Sequence, residues 1–143
     1  MNVYLTILIV LVTSTCCSAY DSQIMHTNNL DKNISTSLIS DGISIPWAMV
    51  QLPTNEILIS ERKGELRIIK NDRLLPARIT GLPEIHHNGQ GGLLDLALHP
   101  SFLKNQWIYF TYASKEGKKS GSNTALMRAT LNLSNLSLTN QKL

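Results

Sequence analysis

Cysteine is scarce in this sequence: two occur in 143 residues, and both, Cys16 and Cys17, lie within the first nineteen positions. Whatever folds after them does so without a disulfide staple or a thiolate nucleophile. Aromatic residues are also few, at 6%, and are not interleaved with basic residues in the way that stacks nucleic-acid bases. Excess charge of one sign is missing too. Thirteen Lys and Arg stand against ten Asp and Glu, a net charge of +3 that is spread along the chain apart from a locally basic tail from Lys104 to Lys142. That balance reads as a solvated surface and argues against a nucleic-acid partner. With 43% hydrophobic and 16% charged residues and no low-complexity tract, the chain reads as globular, and its length allows at most one ordinary domain.

Long hydrophobic runs are absent apart from one, Val3 to Val12, inside a first segment of nineteen residues with no charged side chain. Ten residues are too few to span a bilayer but suit the apolar core of an export signal. Cys17-Ser18-Ala19 supplies small residues before a cleavage point, so residues 1–19 are predicted to be a signal peptide cut after Ala19, although no Lys or Arg stands near Met1. A buried N-terminal strand is the plain alternative. Cleavage removes both thiols, leaves no stable membrane span, and places the product in a periplasm or outside the cell. Acylation at Cys16 is a lesser alternative, because Thr-Ser-Thr is a poor sequence to precede a lipidated cysteine. Residues 20–36, rich in Asn, Ser and Asp, read as a polar spacer, with folded structure starting near Ser37.

Helical periodicity is the next absence. Short strand-like runs recur instead, bounded by turn formers, at 37–40, 46–52, 56–62, 65–70, 93–99, 106–113 and 124–131. The segments AMVQLPTNEILISER from Ala48 and LALHPSFLKNQWIYFTYA from Leu96 each run strand, proline, turn, strand, and Pro53 and Pro100 lie 47 residues apart. Self-similarity at roughly 40–50 residues among antiparallel strands is the signature of propeller blades, against which a chance match between two copies is the alternative. The fold is predicted to be all-β, with residues 37–143 forming the first two to three blades of a β-propeller. Since closure takes about 4–8 blades, the chain is expected to be the front of a longer protein or a truncated product.

The segment HHNGQGGLLDLALHP, residues 86–100, admits three readings. A phosphate cradle needs glycines leading into a helix N-terminus, but Leu93 to Leu98 reads as a strand. The glycines then either permit a tight turn into that strand, or also bring the backbone and Gln90 close to a ligand at the central channel.

Together with Pro46-Trp47-Ala48-Met49, Ile59-Ser60-Glu61-Arg62, Gly64-Glu65-Leu66-Arg67, Gly81-Leu82-Pro83 and Leu98-His99-Pro100-Ser101-Phe102, the run Gly89-Gln90-Gly91-Gly92-Leu93-Leu94-Asp95 resembles the opening blades of the soluble pyrroloquinoline quinone (PQQ)-dependent sugar dehydrogenases, the glucose/sorbosone or aldose sugar dehydrogenase family. The resemblance covers residues from about 40 to 132. It implies a six-bladed propeller exported to the periplasm, with PQQ and calcium over the central channel, an aldose substrate oxidised to a lactone, and a separate electron acceptor. In that reaction a histidine base takes the anomeric hydroxyl proton and hydride passes to the quinone. The family's motif glutamine, on the sugar side of the site, corresponds to Gln90; an amide offers donors and an acceptor to sugar hydroxyls without adding charge.

The family's catalytic histidine, the cations that grip the quinone and the calcium ligands belong to later segments that this sequence does not include. No residue here is therefore assigned as catalytic or as a metal ligand, and this chain alone is expected to be inactive and to bind neither PQQ nor calcium. A non-catalytic exported propeller used for binding, or a decayed gene product, is the alternative. Several other residues have ordinary structural readings. His99 closes a strand before a turn; His86 and His87 are loop histidines that could face the channel mouth, and two adjacent histidines do not converge on one ion. Glu61 and Arg62 read as a salt-linked blade terminus, Asp95 as a carboxylate bonded within its blade, and Trp47 as packing between blades.

Overall fold

A computed structural model describes residues 35–117 and 119–143, and the proposed signal peptide and nearly all of the polar spacer lie outside them. From Ser37 onward the chain forms one compact unit.

Among the described residues, eight strands make two sheets. The first comprises β1 (Pro46–Gln51), β2 (Ile57–Glu61), β3 (Glu65–Lys70) and β4 (Arg73–Leu74), and the second β5 (Leu93–Leu98), β6 (Trp107–Ser114), β7 (Asn123–Asn132) and β8 (Ser137–Lys142). In each sheet spatial order equals sequence order and every pair is antiparallel. Two consecutive four-stranded meanders of this kind are two blades of a β-propeller.

Period-two alternation decides which face each blade buries. Ala48, Val50, Leu58, Leu66 and Ile68 of the first blade face Leu93, Leu96, Ile108, Phe110, Tyr112, Met127 and Ala129 of the second, forming one continuous core. Leu52, Ile79, Phe102, Leu131 and Leu138 extend it. The Ser60 hydroxyl inside this interface is paired on both sides. Ser60, with no exposed surface, donates its hydroxyl to the Leu94 carbonyl of the neighbouring blade at 2.6 Å and accepts from the Ala48 N–H at 3.1 Å. The Leu94 carbonyl reaches across because the β5–β6 register shifts between Leu93 and Leu96, a bulge that turns this backbone out of its ladder.

Some elements depart from the sequence expectation. Residues 37–40 alternate apolar and polar but form no strand, since no neighbour offers them a ladder; Leu38 is 78% exposed. Strands β4 and β8 go unforeseen because their residues are short or polar, and pairing to β3 and β7 alone makes them strands. Between β5 and β6 lies a single helical turn, α1 (Phe102–Asn105), which buries Phe102 and ends at Gln106 in the left-handed region (φ 56°).

Candidate functional site: the loop-bearing end of the two inner strands

β1 and β5 are the first strands of their sheets, and the register brings the start of each to the same end as the β2–β3 and β6–β7 turns: Pro46 pairs with Glu61, Glu61 with Glu65, Leu93 with Tyr112 and Ser114 with Asn123. This end therefore collects, among the described residues, 62–64, 84–92, 114–117 and 119–122. Of the described side chains singled out on chemical grounds, Arg62, His86, His87 and Gln90 fall here, with Glu61 adjoining at the end of β2.

The glycine run is a tight turn with a packing constraint behind it. Gly91 N–H donates to the Asn88 carbonyl at 2.8 Å, closing a four-residue turn in which Gly89 takes φ +56° and Gln90 projects into solvent at the tip. Gly92 is buried beneath that tip. A Cβ on it would lie 1.9 Å from the Arg62 carbonyl oxygen and 2.7 Å from Arg62 Cγ. Only glycine admits so close an approach. It lets Leu93 N–H donate to the Arg62 carbonyl at 3.0 Å while Ala113 N–H donates to the Gly92 carbonyl at 2.8 Å.

The same contact places Arg62 beside Gln90, 28 residues away in sequence, where Arg62 Nη1 donates to Gln90 Oε1 at 3.2 Å. Arg62 is half-buried, and its Nε is fully buried with no hydrogen-bond partner. The salt link of the adjacent acid runs elsewhere. Glu61, with no exposed surface, accepts from the Ser44 N–H and faces Arg67 Nη1 at 3.6 Å rather than Arg62. Strand alternation is the reason: Glu61 and Arg67 point to one face of the first blade and Arg62 leaves at its end. Beside them Glu65 meets Arg78 Nε at 2.6 Å and Lys63 at 3.4 Å. Burial pushes the Glu65 carboxyl up, but hydrogen bonds led by that from Arg78 outweigh it and hold the group below the usual carboxylate range. The pairing of Arg62 with Gln90 went unread in the sequence; its only trace was an arginine directly after the acid that closes a strand.

His86 is half-buried and His87 exposed. His86 is tied by its backbone N–H to the Ala113 carbonyl at 2.8 Å, and the residue borders a cavity of about 370 Å³ with Tyr112, Ser114, Lys115 and Glu116. His99 lies at the other end of the blade. Its Nδ1 accepts from the Ser101 N–H at 2.9 Å and sits 2.8 Å from Asn105 Nδ2, with Trp107 edge-on at 5.2 Å. A backbone N–H can only donate, so the ring proton is on Nε2 and the ring braces the turn around α1. Asp95 is exposed on the second blade, its Oδ1 accepting from the Leu96 N–H at 2.9 Å. Trp47 stands 45% exposed on the open face of the first blade with Met49.

A calcium ion asks for six to eight hard oxygens. Among the described residues no three His, Cys, Asp or Glu side chains converge as ligands. A quinone bearing several carboxylates asks for several free cations. Of the described cations at this end, Arg62 is engaged by Gln90 and Lys63 by Glu65, which leaves Lys115 and Lys119, both exposed on the loop after β6. The described residues fit neither group as a complete site.

Comparison with known proteins gives this geometry its setting. Aldose sugar dehydrogenase YliI of Escherichia coli is 36% identical over 94 residues, which cover 65% of this chain and 25% of the relative. Quinoprotein glucose dehydrogenase B of Acinetobacter calcoaceticus is 29% identical over 110 residues, covering 72% and 23% respectively. The chain thus spans about a quarter of the length of the curated relatives it matches. A crystal structure of a glucose dehydrogenase superposes with a TM-score of 0.69 at 34% identity, over 74% of this chain and 31% of that one. The model of one family, Glucose / Sorbosone dehydrogenase, matches residues 43–143, and the chain belongs to that family.

Proposed function

We propose that these two blades form one wall of the sugar pocket in an exported, PQQ- and calcium-dependent dehydrogenase that oxidises aldoses to lactones and passes electrons to a separate acceptor. The observation that carries this reading is the placement of Gln90: a neutral amide, exposed at the tip of a turn that leads into an inner strand, and held from behind by Arg62. Related proteins named as aldose sugar and quinoprotein glucose dehydrogenases support the substrate class and the cofactor. PQQ, when bound, supplies the electron sink for hydride. What these residues contribute is orientation: the amide binds a sugar hydroxyl, and the packed turn keeps it in place.

The test is carried out on the full-length protein supplied with PQQ and calcium, with aldoses as substrate and a dye as acceptor. Activity is expected, and Gln90→Ala should raise KM about tenfold, in line with one lost hydrogen bond, with a smaller change in kcat. No aldose oxidation by the loaded full-length protein would overturn the reading in favour of a propeller that only binds. Export rests on the uncharged segment around Val3 to Val12. N-terminal sequencing of the secreted product should begin at Tyr20, and an intact Met1 in the mature protein would refute it.

A further inference from the structure

We propose that Arg62 is a positioning residue that fixes the Gln90 amide with its NH2 group outward, so that this part of the pocket offers a ligand only donors and takes a sugar oxygen as the acceptor. The inference rests on the reading of Gln90 as a sugar-contacting residue.

The oxygen and nitrogen of a glutamine amide are nearly isosteric, and chemistry has to decide which faces which way. Here it does. A guanidinium carries five N–H donors and no acceptor, so the amide atom 3.2 Å from Arg62 Nη1 has to be the oxygen. The NH2 group then points away from Arg62, on the exposed side of the turn. Arg62 is itself held at both ends of its backbone: its N–H donates to the Ile45 carbonyl at 2.9 Å, and its carbonyl accepts from Leu93 N–H at 3.0 Å across the Gly92 contact. The guanidinium therefore approaches Gln90 from an anchored base, and its buried Nε makes no competing hydrogen bond. An amide left free would rotate and present either polarity; held like this it presents one, and the ordering cost of binding is met in advance.

Side-chain amide 15N relaxation of Gln90 in the full chain reads this directly. The wild type should show an order parameter near that of rigid backbone, about 0.85, and Arg62→Met should lower it below about 0.6. Arg62→Lys, which keeps the charge on a flexible stem, should give an intermediate value and serves as the readout should the methionine variant fail to fold. In glucose titrations of the full-length protein, Gln90→Glu should keep the contact with Arg62 yet weaken binding about tenfold, because both outward donors are gone. Arg62→Met should weaken it by a few-fold. If Gln90→Ala leaves glucose affinity unchanged, the sugar-contact reading fails. If Gln90→Ala weakens binding while the Arg62 variants leave both amide order and affinity at wild-type values, the positioning role alone is overturned.

Discussion

Replacing Gly92 with alanine tests the packing on which the whole site rests. The added methyl would sit 1.9 Å from the Arg62 carbonyl oxygen, 2.7 Å from Arg62 Cγ and 2.8 Å from the Arg62 carbonyl carbon, whereas real Cβ contacts stop near 3.0 Å. Two of those three atoms are backbone, so no rotamer change relieves the clash, and β5 must part from the end of β2 by about 1 Å. The movement stretches two hydrogen bonds, Leu93 N–H to the Arg62 carbonyl and Ala113 N–H to the Gly92 carbonyl. Overpacking of this kind costs about 1–3 kcal/mol, and each weakened bond about 0.5–1.5 kcal/mol. The expected loss is therefore roughly 2–6 kcal/mol, and at about 4–8 °C per kcal/mol for a domain of this size the melting temperature should fall by at least about 8 °C. Gly89→Ala is the matched control: it carries a positive φ of +56° but has nothing within 4 Å of the new methyl, so it should cost only about 1–2 kcal/mol of backbone strain. Thermal melts of the three proteins, followed by far-ultraviolet circular dichroism, make the comparison. A Gly92→Ala protein melting no lower than Gly89→Ala would refute the close-approach argument.

Other substitutions probe different parts of the molecule. Phe110→Ala removes a ring that is 1% exposed at the centre of the core and should cost about 3–5 kcal/mol in urea denaturation. Arg67→Met leaves the Glu61 carboxyl with no exposed surface and without its cationic neighbour, and should destabilise by about 3–5 kcal/mol; a loss below about 1 kcal/mol would show that the Ser44 N–H alone satisfies that group. Stability should also fall in acid. Glu65 is held below its ordinary value as described, and Glu56 is lowered by a hydrogen bond from Thr54 and by Lys70, 3.0 Å away, against the opposing effect of burial. A carboxylate depressed on folding stabilises above its unfolded pKa, near 4.5, and loses that contribution as pH drops through the folded value. Urea midpoints should hold from neutral pH to about 5 and decline below about 4.5; replacing both glutamates with glutamine should flatten that decline.

Most of the strands were legible in the pattern of consecutive residues. The alternation in ELRIIK and the β-branched and aromatic runs in ILISE and WIYFTYA place β2, β3 and β6 within a residue of where they lie, because a strand with one face on a core has to alternate. The spacing of the two proline-turn segments likewise showed a blade repeat, and the absence of a helix after the glycines excluded a phosphate cradle. Gln90 was legible as a site residue only through the motif around it. Tertiary structure decided the rest. Residues 37–40 have a strand's pattern and no ladder, while SLTNQK has little of the pattern and forms β8 because β7 presents an open edge. Arg62 was legible as the neighbour of Glu61, but the stacking of one blade on the next gave it Gln90 as partner and made Gly92 the point where the two backbones meet. Strand pattern is a property of consecutive residues, whereas contacts between loops 28 residues apart depend on how whole blades pack, and no local spacing encodes that.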